Sequence, residues 1–177
     1  TSPMAQTDEP LLRADGLTTV RGRQECGLQG VSFRVWRGEV FGVAGVEGNG
    51  QRELAGLLAG QRRPLRGRLW FAGDDITHAG VGQRQESGIR FVTDDRDGEG
   101  TVSTLPISLN LLLKKVGRPP FWTRGGRMRR NAVSEVATAV MRDFDIRAPH
   151  PGVLCGTLSG GNLQRVVLGR ELSFAPR

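Results

Sequence analysis

The sequence predicts an α/β fold with two textures: a β-rich N-terminal part with core strands and a helix, followed by an α-helical subdomain. Three observations carry this expectation. Short apolar alternation over 11–20 (LLRADGLTTV) and 31–36 (VSFRVW) has the period of strands. The continuous apolar run Val40–Ala44 (VFGVA) reads as a strand buried on both faces, and a glycine-rich turn leads from it into a helical pattern over Gln51–Ala59, with Leu54, Leu57 and Leu58 in register and Gly60 as the stop. After Pro106 the texture turns helical, and Arg129–Phe144 sets Val133, Val136, Ala137, Val140, Met141 and Phe144 on one stripe.

The remaining elements follow in order. A strand is expected at Gly67–Phe71, an exposed turn at Gly73-Asp74-Asp75 and a further apolar run at Ile89–Val92. Gly117–Arg130 (GRPPFWTRGGRMRR) is a proline- and glycine-rich basic loop before the last-named helix. The expected organisation is a linker over 1–10, a β-rich core part over 11–105 and a helical subdomain over 106–177, together one incomplete domain.

Composition narrows the function classes. With 37% hydrophobic and 24% charged residues the chain has the balance of a folded soluble protein. It contains no apolar run of the roughly 20 residues needed to cross a bilayer. Thr1–Pro10 carries Asp8 and Glu9 and lacks an apolar core, so it does not read as a secretory signal, and a cytoplasmic location is expected. Cys26 and Cys155 stand far apart with no histidine or cysteine at metal-ligand spacing, which argues against a disulfide framework or zinc and for two reduced thiols; no metal site of the chain's own is expected. The net charge of +7 calls for an anionic partner: nucleotide phosphate, nucleic acid and anionic lipid headgroups all qualify, beside a merely solvated arginine-rich surface.

Two motifs address phosphate. The first is Gly45-Val46-Glu47-Gly48-Asn49-Gly50-Gln51-Arg52, which follows a candidate buried strand and opens a helix with the spacing of a P-loop. Glycines are needed there because successive backbone N–H groups turn inward around a phosphate, helped by the helix dipole. Gln51, however, stands where lysine would bridge two phosphates, and Arg52 stands where a hydroxyl would hold Mg²⁺. A neutral amide offers a weaker bond than an ammonium, and a guanidinium has no lone pair for a metal. The cradle is kept and its chemistry is lost; an ordinary glycine-rich turn would read the same way.

The second motif is Leu158-Ser159-Gly160-Gly161-Asn162-Leu163-Gln164-Arg165, ahead of the apolar run Val166, Val167, Leu168 and Leu172. Ser159 is a good N-cap, and Gly160 and Gly161 leave amides at the helix start uncovered, so hydroxyl and N–H groups can grip a phosphate presented from outside. Ser-Gly-Gly alone is a common cap; the whole string before an amphipathic helix is far more specific.

These residues resemble a known family. LSGGNLQR is similar to the signature motif of ATP-binding cassette (ABC) ATPases, and Gly38-Glu39-Val40 through the degenerate P-loop resembles the second cassette of tandem ATPase subunits serving sugar and nucleoside importers. Gly88 to Arg96 is similar to the segment that replaces the usual Q-loop in second cassettes. Pro119-Pro120-Phe121 and Phe144-Asp145-Ile146-Arg147-Ala148-Pro149 resemble the helical subdomain of the branch linked to purine nucleosides and simple sugars.

The resemblance implies two cassettes paired head to tail, with transmembrane permease subunits as further partners and the chain peripheral on the inner face of the membrane. Leu158, Ser159, Gly160, Gly161, Asn162 and Gln164 would cap ATP held by the other cassette. Gly45, Glu47, Gly48, Asn49, Gly50, Gln51 and Arg52 would line a weaker site, and Mg²⁺ would enter only through the partner. Asp94 and Asp95 match the loop that reports nucleotide state, although a carboxylate cannot supply glutamine's amide donors. In the family the chain would continue past Arg177 into the Walker B strand with its magnesium-binding Asp and catalytic carboxylate. No catalytic residue is therefore expected among these 177, nor hydrolysis by them alone. The alternatives are a docking module that binds no nucleotide and a basic nucleic-acid-binding domain; the second is disfavoured because no stretch interleaves basic residues with exposed aromatics.

Overall fold

A computed structural model of the chain describes residues 9–20, 26–46, 48–93, 95, 98 and 100–173. Most of the expected linker, together with Glu47 and Asp94, lies outside the described residues. The chain forms two compact units, Thr1–Ile89 and Arg90–Arg177.

The first unit is built on a four-stranded antiparallel sheet of order β2-β1-β3-β4, from β1 (Leu12–Thr18), β2 (Val31–Val35), β3 (Arg66–Phe71) and β4 (Asp74–Asp75). Register is set by the pleat: Leu12, Ala14 and Leu17 pair with Val35, Phe33 and Val31, which turns one apolar face toward the core. β3 and β4 are joined across Ala72 (φ 53°) and Gly73 (φ 90°), the two positive φ angles of a tight hairpin turn. A bulge interrupts β1 where Gly16 meets Gly67; a β-carbon on Gly67 would stand 2.5 Å from the Gly16 carbonyl oxygen, so only glycine fits. Helix α1 (Gln51–Ala59) buries Leu54 and Leu57 with Ala14, Leu17, Leu28, Leu69 and Phe71, and α2 (Val81–Glu86) follows.

One expectation fails here. Val40–Ala44 is not a strand: it pairs with no neighbour among the described residues, and Val40 is 96% exposed. Phe41 is partly covered by stacking on Phe33 of the edge strand β2, with centroids 5.1 Å apart. An apolar run satisfies the pattern of a central strand, but a strand needs a ladder partner, and none of the described segments supplies one. Ile89–Val92 likewise has no strand.

Among the described residues the second unit holds three α-helices, α3 (Ile107–Leu111), α4 (Arg130–Asp143) and α5 (Gly160–Leu172), around Ile107, Leu111, Ala137, Val140, Met141, Leu163 and Val166. The two units divide at 89/90, and within the second the strip before α3 is tied to the helices. The buried Asn110 carboxamide accepts from the Val102 N–H (2.8 Å) and donates to the Val102 and Leu105 carbonyls (3.0 and 3.1 Å). Arg170 donates to the Gly100 carbonyl at 2.8 Å.

Candidate functional site

The P-loop-like segment leads into helix α1. Gly48 (φ 89°) and Gly50 (φ 100°) are left-handed, the Asn49 N–H donates to the Val46 carbonyl at 3.2 Å, and α1 starts at Gln51 with no side chain capping it. A left-handed residue at the helix start turns amides toward one side, the arrangement that suits an anion. Gly50 is buried: a β-carbon there would press on Leu28 at 3.3 Å.

What occupies the loop is Gln51 itself. Its side-chain amide donates to the Val46 carbonyl at 3.0 Å, and a β-carbon on Gly45 would collide with that amide nitrogen. The side chain standing at the lysine position thus folds over its own loop. Arg52 is exposed, and its guanidinium carries no donor pair for Mg²⁺. The side chains of the loop do not fit a metal. Among the described residues no group of three or more His, Cys, Asp or Glu side chains could hold a metal ion.

The second motif is a helix start with its polar groups outside. Ser159 has extended backbone (φ −66°, ψ 154°), α5 begins at Gly160, and Ser159, Gly160 and Gly161 are all exposed. Ser159 is the N-cap by position, yet its hydroxyl does not cap the helix; its Oγ accepts from the Asn162 side-chain amide at 3.2 Å. A β-carbon on Gly161 would meet nothing within 4 Å, so that glycine is not demanded by packing inside the chain. Leu158 and Leu163 anchor the turn in the helical core, and Gln164 is half-buried.

Asn162, together with three side chains that the motif reading gave no capping role, Arg147, Arg165 and Asp145, holds this turn. Asn162 Oδ1 accepts from the Arg147 N–H at 2.9 Å, so one carboxamide ties both Ser159 and the 145–147 corner. Arg165 donates to the Asp145 carbonyl at 2.8 Å and pairs with its carboxylate at 3.0 Å; Arg147 reaches the same carboxylate at 3.3 Å. Asp145 has φ 49°, a conformation aspartate tolerates better than most residues. An Asp just after a helix end was the signal available in the sequence.

Asp95, the described half of the acidic pair, is exposed but turned into its own loop: Oδ1 accepts from the Gly98 N–H at 2.8 Å and its carbonyl accepts from the Gly100 N–H at 2.8 Å. Gly100 in turn lies against α5, where a β-carbon would come within 3.1 Å of Val167. Gly100, bonded to Asp95, and α5 therefore touch within one unit.

The sequence model of the ABC transporter family matches residues 28–177. The chain belongs to the ABC transporter family. A glucose import ATP-binding protein of Haloferax volcanii is 37% identical over 95% of this ABC chain and 31% of its own length. A guanosine import ATP-binding protein of Bacillus subtilis is 32% identical over 97% of the chain and 34% of its own. A ribose import ATP-binding protein of Rhizobium johnstonii is 35% identical over 83% and 28%. The chain spans about a third of the length of these curated relatives. Its fold is the ABC ATPase cassette fold, with mixed α/β content: a nucleotide-free ATP-binding cassette from an ABC transporter superposes with a TM-score of 0.71 at 25% identity, over 92% of this chain and 64% of that one. A cassette solved as a dimer in a post-hydrolysis state with ADP and phosphate gives 0.72 at 19% identity, over 93% and 70%, a likeness of fold alone.

Proposed function

We propose that this cassette is an energy-coupling part of an importer for simple sugars or nucleosides, and that it caps ATP held by a partner cassette with Ser159, Gly160 and Gly161. The observation that carries the reading is the exposed turn at Ser159, whose hydroxyl makes no bond to the backbone N–H groups of the helix start and accepts from the Asn162 side chain. A hydroxyl and a helix start presented outward suit the terminal phosphate of a nucleotide bound elsewhere. Relatives named for glucose, guanosine and ribose import support the importer class without choosing a cargo. Permease subunits at the inner membrane face and the second cassette of a tandem subunit are the partners of this reading.

Gly45, Gly48, Asn49, Gly50 and Gln51 form the weaker site, with backbone amides as the only strong phosphate ligands. Hydrolysis belongs to the partner, which supplies Mg²⁺ chemistry that Arg52 cannot. The test uses the subunit that carries both cassettes. Ser159→Arg should lower its ATP turnover about a hundredfold, the scale of losing one preorganised donor, while circular dichroism and melting stay unchanged. Unchanged turnover sinks the capping role. Residues 1–177 alone should not hydrolyse Mg-ATP at rates of roughly 1 s⁻¹ or above.

A second reading has one observation in its favour: the Gln51 amide lies over its own loop, as in a cassette that binds no nucleotide and only docks. Calorimetry with ATP separates the two. Gln51→Lys should strengthen binding by about tenfold, since a charged donor replaces a neutral one.

A further inference from the structure

Between Lys114 and Arg130 the chain carries Lys114, Lys115, Arg118, Arg124, Arg127, Arg129 and Arg130 and no acidic residue, a local +7 that equals the net charge of the whole protein. Lys114 is neutralised by Glu171. Arg124, Arg127, Arg129 and Arg130 are exposed, and none of the four is in an ion pair among the described residues.

The fold gathers these four. Trp122 and Met128 form an isolated antiparallel bridge, the Thr123 N–H donates to the Arg127 carbonyl (2.9 Å), and the Arg127 N–H donates to the Thr123 hydroxyl (3.0 Å), closing a hairpin with Gly126 at φ 75°. Phe121, 4% exposed, roots the hairpin among Leu112 and Val133, and the Arg129 N–H donates to the Phe121 carbonyl at 2.8 Å. The tip therefore presents Arg124 and Arg127, and its exit strand runs through Arg129 into the start of α4 at Arg130. An open concavity of about 830 Å³ is lined by Arg127, Arg129 and Arg130, with one carboxylate, Glu135, in its wall.

We propose that this basic hairpin docks on the headgroups of an anionic phospholipid bilayer. The charge complements phosphodiesters presented side by side, and a projecting tip needs no groove to reach them. Val116, 61% exposed beside the hairpin, adds apolar surface suited to the headgroup boundary. Single-stranded nucleic acid fits less well, because the stretch offers no stacking platform: Phe121 is buried and Trp122 is half-buried in the bridge. The proposal rests on the importer reading only in that an importer subunit works beside a membrane.

The experiment is flotation of the full chain with vesicles, at about 0.1 M salt where contacts beyond the first shell are screened. The wild-type chain should float with phosphatidylcholine vesicles containing about one third phosphatidylglycerol, and not with phosphatidylcholine alone. Arg124→Gln/Arg127→Gln/Arg129→Gln/Arg130→Gln should lose at least about tenfold in partitioning. A control, Arg34→Gln/Arg37→Gln/Arg63→Gln/Arg66→Gln, lowers the net charge equally and should keep it. Should the four-site hairpin variant fold poorly by circular dichroism, Arg124→Gln/Arg127→Gln at the tip should still weaken binding by about fivefold or more. Equal losses in variant and control, equal binding to phosphatidylcholine, or displacement from the vesicles by duplex DNA at matched phosphate would each overturn the proposal. None of these outcomes touches the Ser159→Arg result, so its failure and that of the importer reading are told apart.

Discussion

Arg84 carries its guanidinium into the first unit with 1% of the residue exposed, and it is met there by carbonyl oxygens. Nη1 donates to Leu57 (2.6 Å) and Leu58 (3.0 Å), Nη2 to Ile76 (2.8 Å) and Nε to Ala79 (2.9 Å). It thus closes the last turn of α1, where carbonyls lack helical donors, and stitches that end to the segment after β4. Burial lowers its pKa from the ordinary arginine value, and five N–H donors facing backbone dipoles retain the charge. Arg84→Met should cost roughly 3 kcal/mol in urea unfolding, because it strands several buried acceptors. The two thiols make a second contrast at this scale. Cys155 is buried and its pKa is pushed up to about 11 by desolvation, against a smaller opposing pull from Arg170; Cys26 is exposed. A thiol reagent near pH 8 should label one cysteine in the native chain and the second only on unfolding. Because the folded pKa lies above the ordinary 9.0, the Cys155 contribution to stability is complete below pH 9 and is lost as pH rises through about 11. Neither role was legible in the sequence: Arg84 sits in a polar string, VGQRQE, and its partners are backbone atoms that no side-chain pattern records.

Helix α5 shows how an element is aimed. Gly169 lets it lie close on its neighbours, since a β-carbon there would stand 2.8 Å from Val140 of α4 and 3.4 Å from Leu111 of α3. Near its end Glu171, fully buried, accepts from Lys114 at 2.6 Å and from Arg170 at 3.0 Å, while Arg170 also holds the Gly100 carbonyl. The far end of the signature helix is thereby fastened to the loop that contains Asp95. Glu171→Leu should cost about 3–5 kcal/mol, as removing one partner leaves buried charge uncompensated. Hydrogen exchange should rise at Gly100 and Thr101 in the same variant, and protection retained there would refute the fastening. The helices themselves were readable: α1 ends where Leu58, Ala59 and Gly60 say it should, and the Val133 to Met141 stripe is the buried face of α4. Val40–Ala44 was not, because hydrophobicity records a wish for cover and says nothing about which segment gives it.

For the molecule as a whole, the surface is divided by chemistry. The second unit carries the basic hairpin, and the first carries an exposed apolar run in which Val40, Phe41, Val43 and Val46 are between 44% and 96% exposed. An extended apolar segment that pairs with none of the described strands invites pairing between copies. Sedimentation velocity should therefore show concentration-dependent association of the chain, reduced by Val40→Lys/Val43→Lys; equal association in that variant would assign it elsewhere. The two glycine-bearing turns were legible because glycines at fixed offsets show in the sequence, whereas the supports of those turns are long-range bonds that only folding reveals. The corner at Asp145 illustrates the difference. Phe144–Pro149 is the stretch whose wording leans toward nucleosides, and its backbone is grasped by Asn162 and Arg165 from the signature helix. Any change in that corner would then be felt at the serine turn, through the single carboxamide that grips both.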